Sequence, residues 1–253
     1  MSQKPDPHIS AEVKINLTIL VLGAMVMILN ETALSVALPT IMADFGIPAT
    51  SAQWLLTGFL LTMGVVIPTT GFLMDKFTTR QIFLAASGVF LAGTVLAALA
   101  PAFGVLLVGR VFQAAGTALM IPTLMTVAMT LVPPQRRGSV MGIISVVISV
   151  APALGPTVGG FVLSMSSWHV IFWTMVPLLG LICAAGYFRL VNVGDKRDTP
   201  LDFPSVVLSV FAFGGLVYAV SSLENMLEGD GLVDIIVLIL SLIHISEPTR
   251  RTP

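Results

Sequence analysis

Apolar residues run through this chain in long stretches separated by short polar connections, and the length of each stretch indicates its structure. A helix rises 1.5 Å per residue and needs roughly 20 mainly apolar residues to cross a hydrocarbon layer. By that measure the pattern predicts spanning helices over 15–39, 52–73, 81–100, 103–131, 138–164, 170–190 and 203–223. A further apolar run starts near Leu232 and keeps its character only to about Ile245, which is too short to cross. The first run is too long for the apolar core of a signal peptide, and no convincing cleavage site follows it. It reads as a span.

The polar connections set the topology. With the N-terminus inside, the cytoplasmic segments hold Lys4, Lys14, Lys76, Arg80, Arg136, Arg137, Arg189, Lys196 and Arg197, and the opposite connections hold no Lys or Arg. That alternation is what the positive-inside rule produces. It predicts a multi-pass protein of the inner (plasma) membrane with a cytoplasmic N-terminus. Glu224, Glu228 and Asp230 then fall outside, and Arg250 and Arg251 fall inside only if an eighth span is completed. The expected organisation is a cytoplasmic N-terminus over 1–14, a six-helix bundle over 15–190 and a polar cytoplasmic linker over 191–202. Extra helices follow over 203–245, the second of them incomplete, and then a polar tail over 246–253.

Composition agrees and excludes much. At 56% hydrophobic and 10% charged residues, the chain is too apolar for a soluble globular domain, so the fold class is all-α integral membrane. The formal net charge of -1 decides nothing, because in a membrane protein the distribution of charge matters and the sum does not. Cys183 is the single cysteine, so no disulfide within one chain is possible, and it reads as a small packing residue. Nothing here is built for nucleic acid. There is no glycine-rich phosphate loop, no metal-ligand spacing and no nucleophile-base set. His8, His169 and His244 lie far apart in the topology. The chain reads as no enzyme and as needing no cofactor, and any pumping it does must draw on an ion gradient.

Four constellations stand out. The first is Gly71-x-Leu73-x-Asp75-Lys76-x-x-x-Arg80 between the second and third spans, where the glycine suits a tight start, the acid a helix N-cap and the basic residues a cytoplasmic loop. By itself it is also what an ordinary positive-inside loop offers. The order of residues resembles the loop signature between the second and third helices of the major facilitator superfamily of secondary transporters. Thr78 and Thr79 stand where that family usually has glycine and a basic residue. The resemblance implies that Gly71, Asp75, Lys76 and Arg80 form a conformational latch closing against a second bundle.

The second is Leu29-Asn30-Glu31-Thr32. Glu31 lies mid-span, where a carboxylate is costly and by default functional or paired, although a structural ion pair or a snorkelling side chain is the alternative. These residues resemble the first helix of the 14-span drug:proton antiporters of the same superfamily, with the Asn-Glu order similar to the lincosamide-resistance type.

The third is Gly109-Arg110-Val111-Phe112-Gln113-Ala114-Ala115-Gly116, which puts Arg110 and Gln113 on nearly one face of the fourth span. At 1.5 Å per residue, Glu31 lies about 12 Å and Arg110 about 10 Å inside the outer ends of their spans, so they are expected at similar depth. The alternative is that Arg110 bonds only the backbone carbonyls of a neighbour. The pattern resembles the Arg-x-x-Gln-x-x-Gly of proton-coupled members, with Ala114 replacing a frequent glycine. That implies proton coupling by Glu31 and Arg110 and a substrate cavity that includes Asn30 and Gln113.

The fourth is Ala151-Pro152-Ala153-Leu154-Gly155-Pro156-Thr157-Val158-Gly159-Gly160. Ala151, Gly155 and Gly159 recur every four residues as a smooth stripe for a close helix, and Pro152 and Pro156 each remove a backbone donor. Small residues at this spacing are common in ordinary helix packing. The full run, with Pro152, Gly155, Pro156, Gly159 and Gly160, resembles the antiporter signature of exporters in this superfamily.

Trp168-His169-Val170-Ile171-Phe172-Trp173 also resembles a stretch of the 14-span exporters, with Trp168 expected as an interfacial anchor and His169 as an interfacial polar residue. Together the resemblances imply a proton-coupled exporter of small amphipathic molecules working by alternating access in the lipid bilayer. A second, C-terminal bundle is missing from this expectation, and 243–251 look like adaptor-derived sequence. The competing readings are therefore a non-transporting membrane fragment and an exporter of an endogenous solute.

Overall fold

A computed structural model describes residues 9–192 and Gly215. Within them, the chain is helical and without strands: α1 (Ala11–Phe45), a short α2 (Ala49–Ala52), α3 (Trp54–Lys76), α4 (Thr79–Ala98), α5 (Phe103–Leu131), α6 (Pro134–Met165) and α7 (His169–Arg189). Among the described residues, six helices are long and apolar enough to cross a membrane, with α2 running into α3 as one span. The span expected over 203–223, the short run after it, most of the linker and the polar tail lie outside the described residues.

Helix ends depart from the apolar boundaries because backbone chemistry, rather than hydropathy, stops a helix. α1 begins one turn earlier than its apolar run, where the Ser10 side chain accepts from the Val13 amide. It passes straight through Pro39 and ends only at Gly46, whose left-handed φ of 63° closes the last turn onto Met42. Pro68, Pro122, Pro152, Pro156 and Pro177 likewise sit inside helices, which neighbouring helices tolerate in a bilayer. α6 starts at Pro134, so Arg136 and Arg137 lie in its first turn and not in a loop.

α5 is the hub of one side of the bundle, packed on α4 and α3, while α1 packs on α6, α7 and α5, and α4 on α7. Small residues set the closest crossings, as expected where lipid gives no hydrophobic drive to associate. A methyl added to Gly93 of α4 would lie 2.6 Å from the Gly109 carbonyl of α5, and one on Gly116 2.6 Å from the Ala86 carbonyl. Backbones touch there. On the other side, a methyl on Gly155 of α6 would collide with Thr32, and one on Gly159 would lie 2.7 Å from the Ala33 carbonyl of α1. α6 buries only Ile144, Ala151, Gly155 and Gly159, and its outward face exposes Ile143, Val146, Leu154, Phe161 and Met165.

The apolar interior divides in two. One cluster gathers Leu17 to Met27 of α1 with Phe83, Ala86 and Phe90 of α4 and Met120 and Leu124 of α5. The other gathers Ala33 to Ile41 of α1 with Ala97, Leu106, Trp168 and Phe172. The residues between them are the polar ones.

The α4-α5 crossing makes a specific prediction. Gly93→Leu should cost about 1–3 kcal/mol through overpacking, because the obstacle is backbone and cannot yield. Gly88→Ala, with open space around it, should be neutral or slightly stabilising; unfolding of both variants in mixed micelles checks the contrast.

Candidate functional site

Between the two clusters lies a polar layer built from α1, α3, α4 and α5. Arg110 is fully buried, a position lipid alone could not satisfy. Its Nε donates to the Leu55 carbonyl of α3 at 3.3 Å, and its Nη1 donates to Gln113 Oε1 at 3.0 Å. The Phe59 ring of α3 covers the guanidinium, with its centroid 4.2 Å from the guanidinium carbon. Gln113 Nε2 in turn donates to Thr94 Oγ1 of α4 at 2.9 Å, and that hydroxyl donates to the Phe90 carbonyl at 2.8 Å. Thr117 Oγ1 donates to the Gln113 carbonyl at 3.0 Å. A chain of donors and acceptors thus ties three helices around one cation.

Two groups in this layer are buried without a partner: both polar atoms of the Asn30 amide, and Nη2 of Arg110. Such groups are uncommon in folded interiors, and each one calls for an explanation. Glu31, next to Asn30, is half-buried, and the side-chain bonds of Arg110 go to Leu55 and Gln113 and not to Glu31. The alternative in which Arg110 bonds a neighbour's backbone is therefore realised at Leu55, while Glu31 remains its opposite charge. The turn that carries Glu31 is backed by Gly155 and Gly159 of α6, and Thr32 Oγ1 folds onto its own helix, donating toward the Ile28 and Leu29 carbonyls.

Other expectations are corrected. Gly71 does not open a turn and Asp75 does not cap a helix, because α3 continues through both to Lys76. The cap of α4 is Thr78, whose hydroxyl accepts from the Gln81 amide while the Gln81 side chain accepts from the Thr78 amide. Thr78 and Gln81 together close the elbow. Asp75 and Lys76 are exposed. Arg80 turns inward to α7, donating to the Tyr187 carbonyl, stacking 4.8 Å from the Tyr187 ring, and donating from its amide to Asn192 Oδ1 at 3.2 Å. The Ala151, Gly155 and Gly159 stripe is buried, while Pro152 and Pro156 are exposed and nothing among the described residues lies near Gly160.

Trp168 is not an interfacial anchor but the buried centre of an aromatic group with Phe45, His169 and Phe172, its indole donating to Asp44 at 2.9 Å. A cavity of about 280 Å³, lined by Leu73, Phe77, Gln81, Ile82, Ala85 and Leu119, lies at the elbow end and does not reach the polar layer. Sequence reasoning missed Phe59 and Thr94 altogether. One is an apolar residue and the other a lone hydroxyl in an apolar run, and only their neighbours give them meaning.

With this geometry in hand, comparison with known proteins is informative. The Major Facilitator Superfamily profile matches residues 20–244. An uncharacterized MFS-type transporter of Bacillus subtilis, YcnB, is 46% identical over 207 residues, covering 82% of this chain and 44% of the relative. The lincomycin resistance protein LmrB of Bacillus subtilis is 40% identical over 243 residues, covering 92% of this chain and 50% of its own length. This chain spans about half the length of the curated relatives it matches. Among solved structures, a peptide transporter in complex with sulfate superimposes with a TM-score of 0.66 at 17% identity, covering 91% of this chain and 49% of that one. The human organic anion transporter MFSD10 does so with a TM-score of 0.66 at 16% identity, covering 85% of this chain and 55% of that one. At such identities the likeness is one of fold.

Removing Gln113 tests the cohesion of the layer. Gln113→Leu strips Arg110 Nη1 and Thr94 of their side-chain partner at once, and an unsatisfied buried group costs about 1–3 kcal/mol. The expected loss of stability, read by unfolding in mixed micelles, lies in that range, and Gln113→Glu should recover part of it by accepting from Arg110.

Proposed function

This chain belongs to the Major Facilitator Superfamily, and we propose that its six described spans act, together with a second bundle, as a proton-coupled exporter of small amphipathic compounds. The observation that carries this reading is the polar layer between two apolar clusters, in which Asn30, beside the half-buried Glu31, and Arg110 Nη2 keep unpartnered polar atoms. Ionisable groups inside a membrane are costly and are retained where they are used.

Glu31 carries the coupling proton. Ionised, it balances Arg110. A cargo molecule engages the ionised carboxylate, and protonation removes that charge and releases the cargo. Proton and cargo therefore exclude each other at one carboxylate, which is the condition for exchange transport when the site opens alternately to the two sides. Asn30 and Gln113 supply uncharged hydrogen bonds to cargo. Gly155 and Gly159 hold the Glu31 turn against α6, so that α1 and α6 travel as one unit. Lys14, Lys76, Arg80, Arg136, Arg137 and Arg189 all fall at one end of the bundle, and the positive-inside rule makes that end, with the N-terminus, cytoplasmic. Asp75 and Lys76, exposed at that end, are the side chains that a second bundle can engage as a latch.

Dye accumulation in efflux-deficient bacteria tests the reading. This chain continued by the C-terminal half of LmrB should lower accumulation, with the effect abolished by Glu31→Gln and by a protonophore. This chain alone should leave accumulation at the level of empty cells. Efflux that survives Glu31→Gln or collapse of the proton gradient would overturn the coupling role, and efflux by this chain alone would overturn the need for a second bundle.

A further inference from the structure

We propose that Phe59 and Thr94 are positioning residues that immobilise the Arg110 guanidinium, so that within the described bundle Nη2 is the single nitrogen left without a partner. The use of this arrangement rests on the coupling role given to the pair above; the immobility of the guanidinium does not.

The guanidinium is held at two of its three nitrogens and on the face that Phe59 covers. Its Nε is tied to α3 through the Leu55 carbonyl, its face is covered by Phe59, which is 1% exposed, and its Nη1 is tied to Gln113. Gln113 could swing by itself, but its Nε2 is anchored by Thr94, whose hydroxyl is itself fixed to the Phe90 carbonyl. Thr94 cannot drift relative to Arg110, because the residue before each one is a glycine at the backbone crossing: Gly93 of α4 faces Gly109 of α5, with room for no side chain on either. The anchor and the cation are therefore set by the same contact. A cation covered by an aromatic face and desolvated gains more from that face than an exposed one.

Glu31 is placed differently. It is half-buried, it makes no hydrogen bond to the Arg110 cluster, and its helix is backed by α6, which buries little else. The clamp therefore holds Arg110 through α3, α4 and α5 without any bond from Glu31.

The test uses the whole chain, labelled with ¹⁵N-arginine and held in lipid nanodiscs, with the Arg110 side-chain signals assigned by their absence in Arg110→Lys. The expected result is distinct, slowly exchanging Nη signals for Arg110, merged by Phe59→Leu and by Thr94→Val but retained in Phe59→Tyr and Thr94→Ser. Circular dichroism of each variant separates this from loss of fold, and Thr94→Val, which preserves shape, keeps the test decisive if Phe59→Leu does not fold. Averaged Nη signals in the unaltered chain, or unchanged signals in Thr94→Val, would overturn the proposal. Merging caused by Glu31→Gln would also overturn it, since Glu31 would then be the restraint. Intact Nη signals beside dye efflux that ignores Glu31 would instead remove the coupling role and leave the clamp standing.

Discussion

A guanidinium buried in a hydrocarbon-spanning bundle has no water to fall back on, and the arrangement of α3, α4 and α5 follows from that constraint. Arg110 keeps its charge whatever its surroundings, so its donors must be met by protein. Leu55, Phe59 and Gln113 do this directly, and Thr94 does it at one remove. Those partners come from three helices, so the three must meet at one level. The glycine contact between Gly93 and Gly109 brings two of them close enough for it.

The same constraint divides the interior. Two apolar clusters could have fused into one continuous core, and the polar layer keeps them apart. That division costs packing, and it leaves the Asn30 amide and one nitrogen of Arg110 without partners. A bundle selected only for stability would have little reason to keep them. The proposed exporter has one, because groups satisfied too well by their own protein cannot bind and release anything else.

Much of the architecture could be read from the residue order. The six described spans were each anticipated from apolar length, the clustering of basic residues at one end from loop charge, and the Ala151, Gly155 and Gly159 stripe from its spacing. Glu31 and Arg110 were singled out because charge inside a span is expensive. What did not read through was the role of residues without an unusual chemistry. Phe59 and Thr94 look like filler in an apolar run, and Trp168 looks like an interface anchor until its indole is found on Asp44. The elbow was misread for a related reason: Asp75 has the chemistry of an N-cap, but capping depends on where the next helix starts, and the Thr78-Gln81 pair starts α4.

By itself the sequence determined that this is a multi-spanning helical membrane protein with a carboxylate and a guanidinium inside its apolar runs, because hydropathy and the cost of buried charge act residue by residue along the chain. Only the tertiary structure decided which groups satisfy Arg110, that Glu31 stands off from it as a charge without a bond, and that the exporter-like glycines back the Glu31 turn. Those are matters of which helix faces lie against each other. Face-to-face packing depends on close contacts between residues far apart in the chain, and a linear pattern does not record them.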